Sequence, residues 1–246
     1  DPVRCPSGTT VMRNRARSSQ MAVYLPQRRA LRVLTVGLGS ASPSCPPVSV
    51  GDFLGVGLAN GQFVLVDPSS GSLQGAPYQP ELEPGQQVVW NAPVYLPESK
   101  TLIIASNLSK MARLSASGSL RMLSEVDLES PLVGPLCRMG GSVGGVLANT
   151  TGDSLVLFDA KNLKASPPQA LPGRWMAGPF PVDGGCLVQT DAGVSMFDET
   201  ATLVWTTKCG SSQIVGKPIL SKGNLLVALR SGQMFVLNSA SGDITG

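Results

Sequence analysis

This sequence predicts an all-β fold built from one four-stranded unit repeated about six times. Three observations predict it: a phrase written twice, a proline that returns at a near-constant interval, and no stretch patterned as a long helix. "GQFVLVDPSSGSLQG" begins at Gly61, and "GQMFVLNSASGDITG" begins at Gly232, 171 residues later. Proline opens a short apolar segment at Pro2, Pro47, Pro93, Pro135, Pro179 and Pro218, at intervals of 45, 46, 42, 44 and 39 residues. In phase with that series, apolar segments end at Asp67, Ser115, Asp159, Asp198 and Asn238, each followed by a short polar turn. "VYLP", ending at Pro26, is a weaker first member. Two markers sharing a period of about 43 residues define a structural repeat.

Composition agrees. The 246 residues include 28 Gly and 20 Pro but only 14% charged residues, which fits many short elements joined by tight turns and not a charge-rich disordered chain. Apolar residues run in fours to sixes between Gly, Pro, Asn and Asp, the signature of strands. No apolar run approaches the roughly 20 residues of a membrane helix. The beginning "DPVRCPSGTT" lacks the basic-then-apolar pattern of a signal peptide, as expected of a mature or trimmed chain.

Within each unit the turns set the elements in order. The first segment starts at the proline, whose missing N–H suits a strand's first residue. Short turns near Gly51, Glu98, Asp183 and Lys222 lead to the most apolar second segment, as in "FLGVGLA", "TLIIAS" and "LLVALR". Turns such as "NG" at Asn60 and "DAG" at Asp191 lead to the third, as in "FVLVD", "LVLFD" and "MFVLN". A last turn, "PSSG" or "SASG", leads to the fourth, as in "SLQG", "TLVW" and "DITG". Four antiparallel strands recurring at this period describe the blade of a β-propeller, because a blade with two apolar faces buries them only against other blades. The expected organisation is a single domain over residues 1–246, with blades near 1–45, 46–91, 92–133, 134–177, 178–216 and 217–246.

The phrase "VLVDPSSGSLQG" resembles the repeat of pyrroloquinoline-quinone-type propellers, whose consensus reads roughly "lyAlDaxtGkvlW". The spacing is kept in Asp67 and Gly71 and, with Asn for Asp, in Asn238 and Gly242; the closing Trp survives as Trp205, after Asp198. The resemblance implies either quinone-dependent alcohol and sugar dehydrogenases or non-enzymatic scaffolds, such as the propeller lipoprotein of bacterial outer-membrane assembly. The character of this chain is closest to the scaffolds. Familiar members have eight blades, so six units imply a closed six-blade ring or an arc of a larger one.

The chemical inventory is thin. No histidine occurs, which removes Ser-His-Asp and Cys-His pairs, His-liganded metals and the commonest general base. "GGSVG" at Gly140–Gly144 mimics a nucleophile elbow but sits where a hairpin is predicted. "GSSQIVGKP" from Gly210 departs from a phosphate loop in spacing and places Pro218 where Ser or Thr should bind magnesium. The sequence thus gives no catalytic residue and leaves enzymatic activity disfavoured. Alternation puts Glu125, Asp127 and Glu129 on one face of an extended segment, either as a weak candidate for a divalent cation or as the charged dressing of an edge strand. Asp67, Asp159 and Asp198 read as turn formers whose carboxylates bond nearby backbone N–H groups. The calcium ligands and aspartate base that the quinone enzymes imply do not map onto this chain. No cofactor is therefore expected, with pyrroloquinoline quinone and calcium as the alternative. Trp90 and Trp175 are expected to wedge between blades or to line a central opening. The five cysteines form no metal pattern, and Cys5–Cys45 is the pair to test for a bridge.

Charge is unevenly placed. Residues 1–40 hold seven arginines (Arg4, Arg13, Arg15, Arg17, Arg28, Arg29 and Arg32) against Asp1, while the remainder holds twelve basic against fifteen acidic residues. Arg13, Arg15, Arg17, Arg28, Arg29 and Arg32 are either a docking patch for an acidic partner or anionic surface, or a solvated basic edge. Nucleic acid is disfavoured, since only Tyr24 is interleaved with them. The expected function is a non-catalytic scaffold for protein–protein interaction in an extracytoplasmic, periplasmic or secreted setting. The alternatives are a quinone-linked oxidoreductase or its cofactor-less remnant, and the sensory ectodomain of a larger receptor. Asn107 and Asn149 head formal glycosylation motifs.

Overall fold

A computed structural model describes residues 2–13, 20–35 and 41–246. They form six antiparallel sheets in chain order, in two compact units, Asp1–Asp127 and Leu128–Gly246.

The first unit holds three sheets. The first comprises β1 (Val3–Arg4), β2 (Thr10–Arg13), β3 (Gln20–Leu25) and β4 (Ala30–Thr35). The second comprises β5 (Val48–Val50), β6 (Phe53–Gly57) and β7 (Phe63–Val66). Its fourth strand is reduced to bridges from Val66 to Leu73 and from Phe63 to Tyr78. The third comprises β8 (Val94–Leu96), β9 (Thr101–Ser106), β10 (Lys110–Ser115) and β11 (Arg121–Asp127). Alternation divides the second sheet's side chains between its neighbours. Leu54, Val56, Val64 and Val66 meet Val11, Met21 and Val23 of the first sheet. Phe63 and Leu65 meet Leu102, Ile104 and Leu114 of the third. Each such fully buried side chain contributes about 1.5–3 kcal/mol, so these contacts dominate the stability of the unit.

The second unit repeats the plan. Its first sheet is β12 (Leu132–Met139), β13 (Ser142–Leu147), β14 (Ser154–Asp159) and β15 (Gln169–Ala170). The next is β16 (Trp175–Val182), β17 (Gly185–Thr190), β18 (Gly193–Asp198) and β19 (Leu203–Thr207). The last is β20 (Ile219–Ser221), β21 (Asn224–Ala228) and β22 (Met234–Asn238), finished by a bridge from Leu237 to Ile244. Cys137, Val146 and Leu155 pack on Cys186, Val188 and Phe197; Leu187, Val194 and Met196 pack on Leu225, Val227 and Leu237.

The prolines mark strand starts in four units and not in the other two. Pro2, Pro47, Pro93 and Pro218 stand immediately before β1, β5, β8 and β20. Pro135 and Pro179 lie inside β12 and β16, each within a register shift, where a residue without an N–H breaks no ladder bond. Gly134 and Gly178 precede them because the two sheets nearly touch there. A Cβ on Gly134 would fall 2.3 Å from the Gly178 carbonyl oxygen. Ser142 opens β13 after a two-residue turn, paired with Asp159, so "GGSVG" is a hairpin.

The expected test pair Cys5 and Cys45 is not bridged. All five cysteines are free and buried, Cys5 in the core between the first and second sheets and Cys45 in that between the second and third.

Candidate interaction surface

The repeated turn fixes the positions called from spacing. Asp67 Oδ1 accepts the Ser69 N–H at 2.7 Å. Asp159 Oδ1 accepts from Lys161 and Asn162 at 2.9 and 3.0 Å. Asp198 Oδ1 accepts from the Thr200 and Thr202 N–H groups at 2.9 and 2.8 Å. Asn238 Oδ1 accepts from Ala240 and Ser241 at 2.9 and 3.1 Å. Partial burial works against the Asp67 carboxylate, but bonds from Ser69 and Ser70 outweigh it and hold its pKa below the usual range. The Thr200 hydroxyl, ahead of the backbone N–H groups, does the same for Asp198. Gly242, at φ +76°, lies flat against Trp205, where an added Cβ would come within 2.6 Å of the indole. Trp205 Nε1 donates to the Ser239 carbonyl at 3.0 Å, so one sheet's outer strand clasps the next sheet's turn.

The arginines divide by role. Arg32 makes the corresponding clasp on the first sheet, its Nη1 donating to the Ser69 carbonyl at 3.2 Å, while the Leu34 side chain approaches Gly71. Arg13 Nη2 donates to the Pro43 carbonyl at 2.9 Å. Arg15 and Arg17 lie outside the described residues. Arg28 and Arg29 are exposed on the turn joining β3 to β4. That turn is a 3-10 segment, Pro26–Arg28, closed by Arg29 in the left-handed region at φ 47°. Among the described residues no carboxylate pairs with Arg4, Arg28 or Arg29.

Beside this turn a groove of about 250 Å³ runs between the first two sheets, lined by Ser7, Thr9, Leu25, Gln27, Arg28, Asp52, Asp67, Pro68 and Ser69. Its rim is braced by the Ser7 N–H on Asp52 Oδ1 at 3.0 Å and by Gln27 Nε2 on the Ser7 carbonyl at 2.6 Å. Among the described residues that line it there is no aromatic ring on which a quinone would stack. Both carboxylates already accept protein hydrogen bonds. These residues do not fit a quinone with its calcium ion.

Glu125 and Asp127 share one face of β11, opposite Ala112 and Lys110, and Glu129 follows the strand. Lys110 Nζ lies 3.0 Å from Glu125 and 3.9 Å from Asp127, and the Tyr78 hydroxyl donates to Glu125 Oε2 at 3.1 Å. Burial, then the Glu125 charge, pushes the Tyr78 phenol upward. Among the described residues no three His, Cys, Asp or Glu side chains gather where a metal ion would be held. Trp90 is wedged between sheets, edge-on to Phe63 with centroids 5.7 Å apart. Trp175 sits on Gly134 and donates from Nε1 to the Gly178 carbonyl at 2.9 Å. Asn107 binds the Gln87 carbonyl and the Val89 N–H, and Asn149 accepts from Ser130, so both amides join local loops.

Two arrangements had no counterpart in the sequence reading. One is the Tyr78–Glu125–Lys110 group. The other is buried Asp153, which accepts from Arg174 at 3.2 Å and from the Trp175 N–H at 2.7 Å. Their hydrogen-bonded pairs lie 15 to 47 residues apart and no motif links them.

No family model and no curated protein matches the sequence. Solved structures do. BamB from Moraxella catarrhalis superposes with TM-score 0.72 at 16% identity, over 100% of this chain and 75% of that one. The fold is a β-propeller. The computationally designed Ika8 protein superposes on the propeller with TM-score 0.70 at 13% identity, over 97% of this chain and 70% of that one. A chain of the Mitotic Checkpoint Complex gives 0.70 at 13%, over 100% and 75%. The resemblance to repeat propellers read from the sequence holds at the level of the fold.

Proposed function

We propose that this propeller is a non-catalytic scaffold that binds a protein partner in an extracytoplasmic, envelope-associated setting, using the exposed cations of its first sheet. The observation that carries the reading is the pairing of a rigid, two-sided sheet core with exposed Arg28 and Arg29, which no carboxylate of the described residues neutralises. Unpaired cations beside a groove favour an acidic partner and speed its encounter. The similarity to BamB and to a chain of a multiprotein complex supports the same reading.

The test is affinity capture from extracts of the source cells with the wild-type protein and with an Arg28→Glu/Arg29→Glu variant. Partner recovery falls at least about ten-fold in the variant and declines as salt rises, because exposed charges are screened beyond about 10 Å at 0.1 M. Equal recovery from both proteins overturns docking through this turn. A parallel thermal melt with pyrroloquinoline quinone and calcium shows no saturable rise in Tm; a saturable rise overturns the non-catalytic reading, since a ligand that binds the native state stabilises it.

A further inference from the structure

The five cysteines are spread over four cores, and one core holds two of them. Cys5 lies between the first and second sheets, Cys45 between the second and third, and Cys209 between the fifth and sixth. Cys137 and Cys186 share the core between the fourth and fifth sheets. The backbone brings these two to one place. β12 and β16 press together at Gly134 and Gly178. Cys137 stands three residues beyond Gly134 on β12, and Cys186 on β17 pairs with Pro181, three residues beyond Gly178 on β16. The Cys186 thiol hydrogen-bonds to Cys137. Both side chains are fully enclosed.

We propose that Cys137 and Cys186 are a redox-active pair, which a disulfide oxidant such as oxidised glutathione closes into a covalent staple between the fourth and fifth sheets. One cysteine, as its thiolate, attacks a sulfur of the glutathione disulfide. A mixed disulfide forms, the glutathione S–S bond breaks, and one glutathione leaves and takes up a proton. The second cysteine, as its thiolate, attacks the first cysteine's sulfur and releases the other glutathione. In sum, two protein thiols lose two electrons and two protons, and one glutathione disulfide becomes two thiols. The core favours this product over a metal centre. Val146, Leu155, Val188 and Phe197 pack around the pair; a metal would need thiolate charge among them, whereas a disulfide is neutral. Hydrogen-bonded sulfurs have only to close to about 2.05 Å. Because both are buried, oxidation needs either local opening of the sheets or folding in the presence of oxidant. The two positions are 49 residues apart, so the bridge restricts the unfolded chain and stabilises the fold.

The test refolds the full chain from guanidinium chloride, once in dithiothreitol and once in mixed reduced and oxidised glutathione, followed by alkylation and peptide mass spectrometry. Dithiothreitol is expected to give five alkylated cysteines. Glutathione is expected to remove two of them into one linked peptide that contains Cys137 and Cys186. Tm then rises by about 5–10 °C and returns to the reduced value after dithiothreitol. Cys209→Ala, in another core, keeps the linked peptide and the shift, and Cys186→Ala loses both. The native protein held in oxidised glutathione a few degrees below its Tm, where opening is frequent, gives the same readout without refolding. Five free thiols after glutathione, glutathione left on either cysteine, or a bridge that uses Cys5, Cys45 or Cys209 overturns the proposal. So does a Cys137–Cys186 bridge that leaves Tm unchanged or lower, because the pair would then not be a staple.

Discussion

Asp198 and Asn238 occupy the same point of successive repeats, and each accepts the N–H two residues on together with one further backbone N–H, with different charge. Asn238 shows that an amide oxygen suffices for the geometry, so the carboxylate at Asp198 adds a term that depends on pH. Its folded-state pKa lies below the ordinary value of about 3.9. The contribution is therefore complete above about pH 4 and is lost as pH falls through the lowered folded value. Asp198→Asn is expected to lower Tm slightly at pH 7, with the two melting curves converging below about pH 4. Thermal melts from pH 2 to 7 measure this, and a constant offset across the range would refute it. Asp67, Asp159 and Asp198 were legible in the sequence because each acts within four residues of itself. Arg32 was not: its bond to Ser69 spans 37 residues, and only the packed sheets bring the two together.

Turns and strands form the next scale. β20 and β21 are joined by a two-residue loop, Lys222 and Gly223, both at positive φ (50° and 76°). That is a type I′ turn, which favours Asn-Gly, whereas a lysine resists the left-handed region. Lys222→Asn is expected to raise stability by about 0.5 kcal/mol. The change is read as a higher urea midpoint at unchanged slope; an equal or lower midpoint would count against the turn assignment. Most strands were legible because period-two alternation and turn residues are local signals. The starts of β12 and β16 were missed because proline normally opens a strand. Pro135 and Pro179 instead sit in bulges forced by the approach of Gly134 to Gly178.

Across the whole chain the cysteines report on packing. Burial pushes the Cys45 thiol up to about 11, against the opposing effects of the Gly57 backbone and Arg13. A hydrogen bond from the Cys186 thiol to Cys137, then burial, raises Cys186. Buried thiols held protonated react slowly. Ellman's reagent at pH 8 is expected to label none of the five in minutes in the native protein and all five in guanidinium chloride. A count of three after denaturation would restore the Cys5–Cys45 bridge.

By itself the sequence determined the repeat, the all-β class, the hairpin turns and the thin inventory of catalytic groups. All of these are carried by residue type and by spacing along the chain, either within one repeat or at the period of the repeat. Only the tertiary structure decided which arginines are spent on holding sheets together and which carboxylates are already paired. Those outcomes depend on strand register and on what packs opposite, and contacts between residues tens of positions apart leave no mark in local pattern.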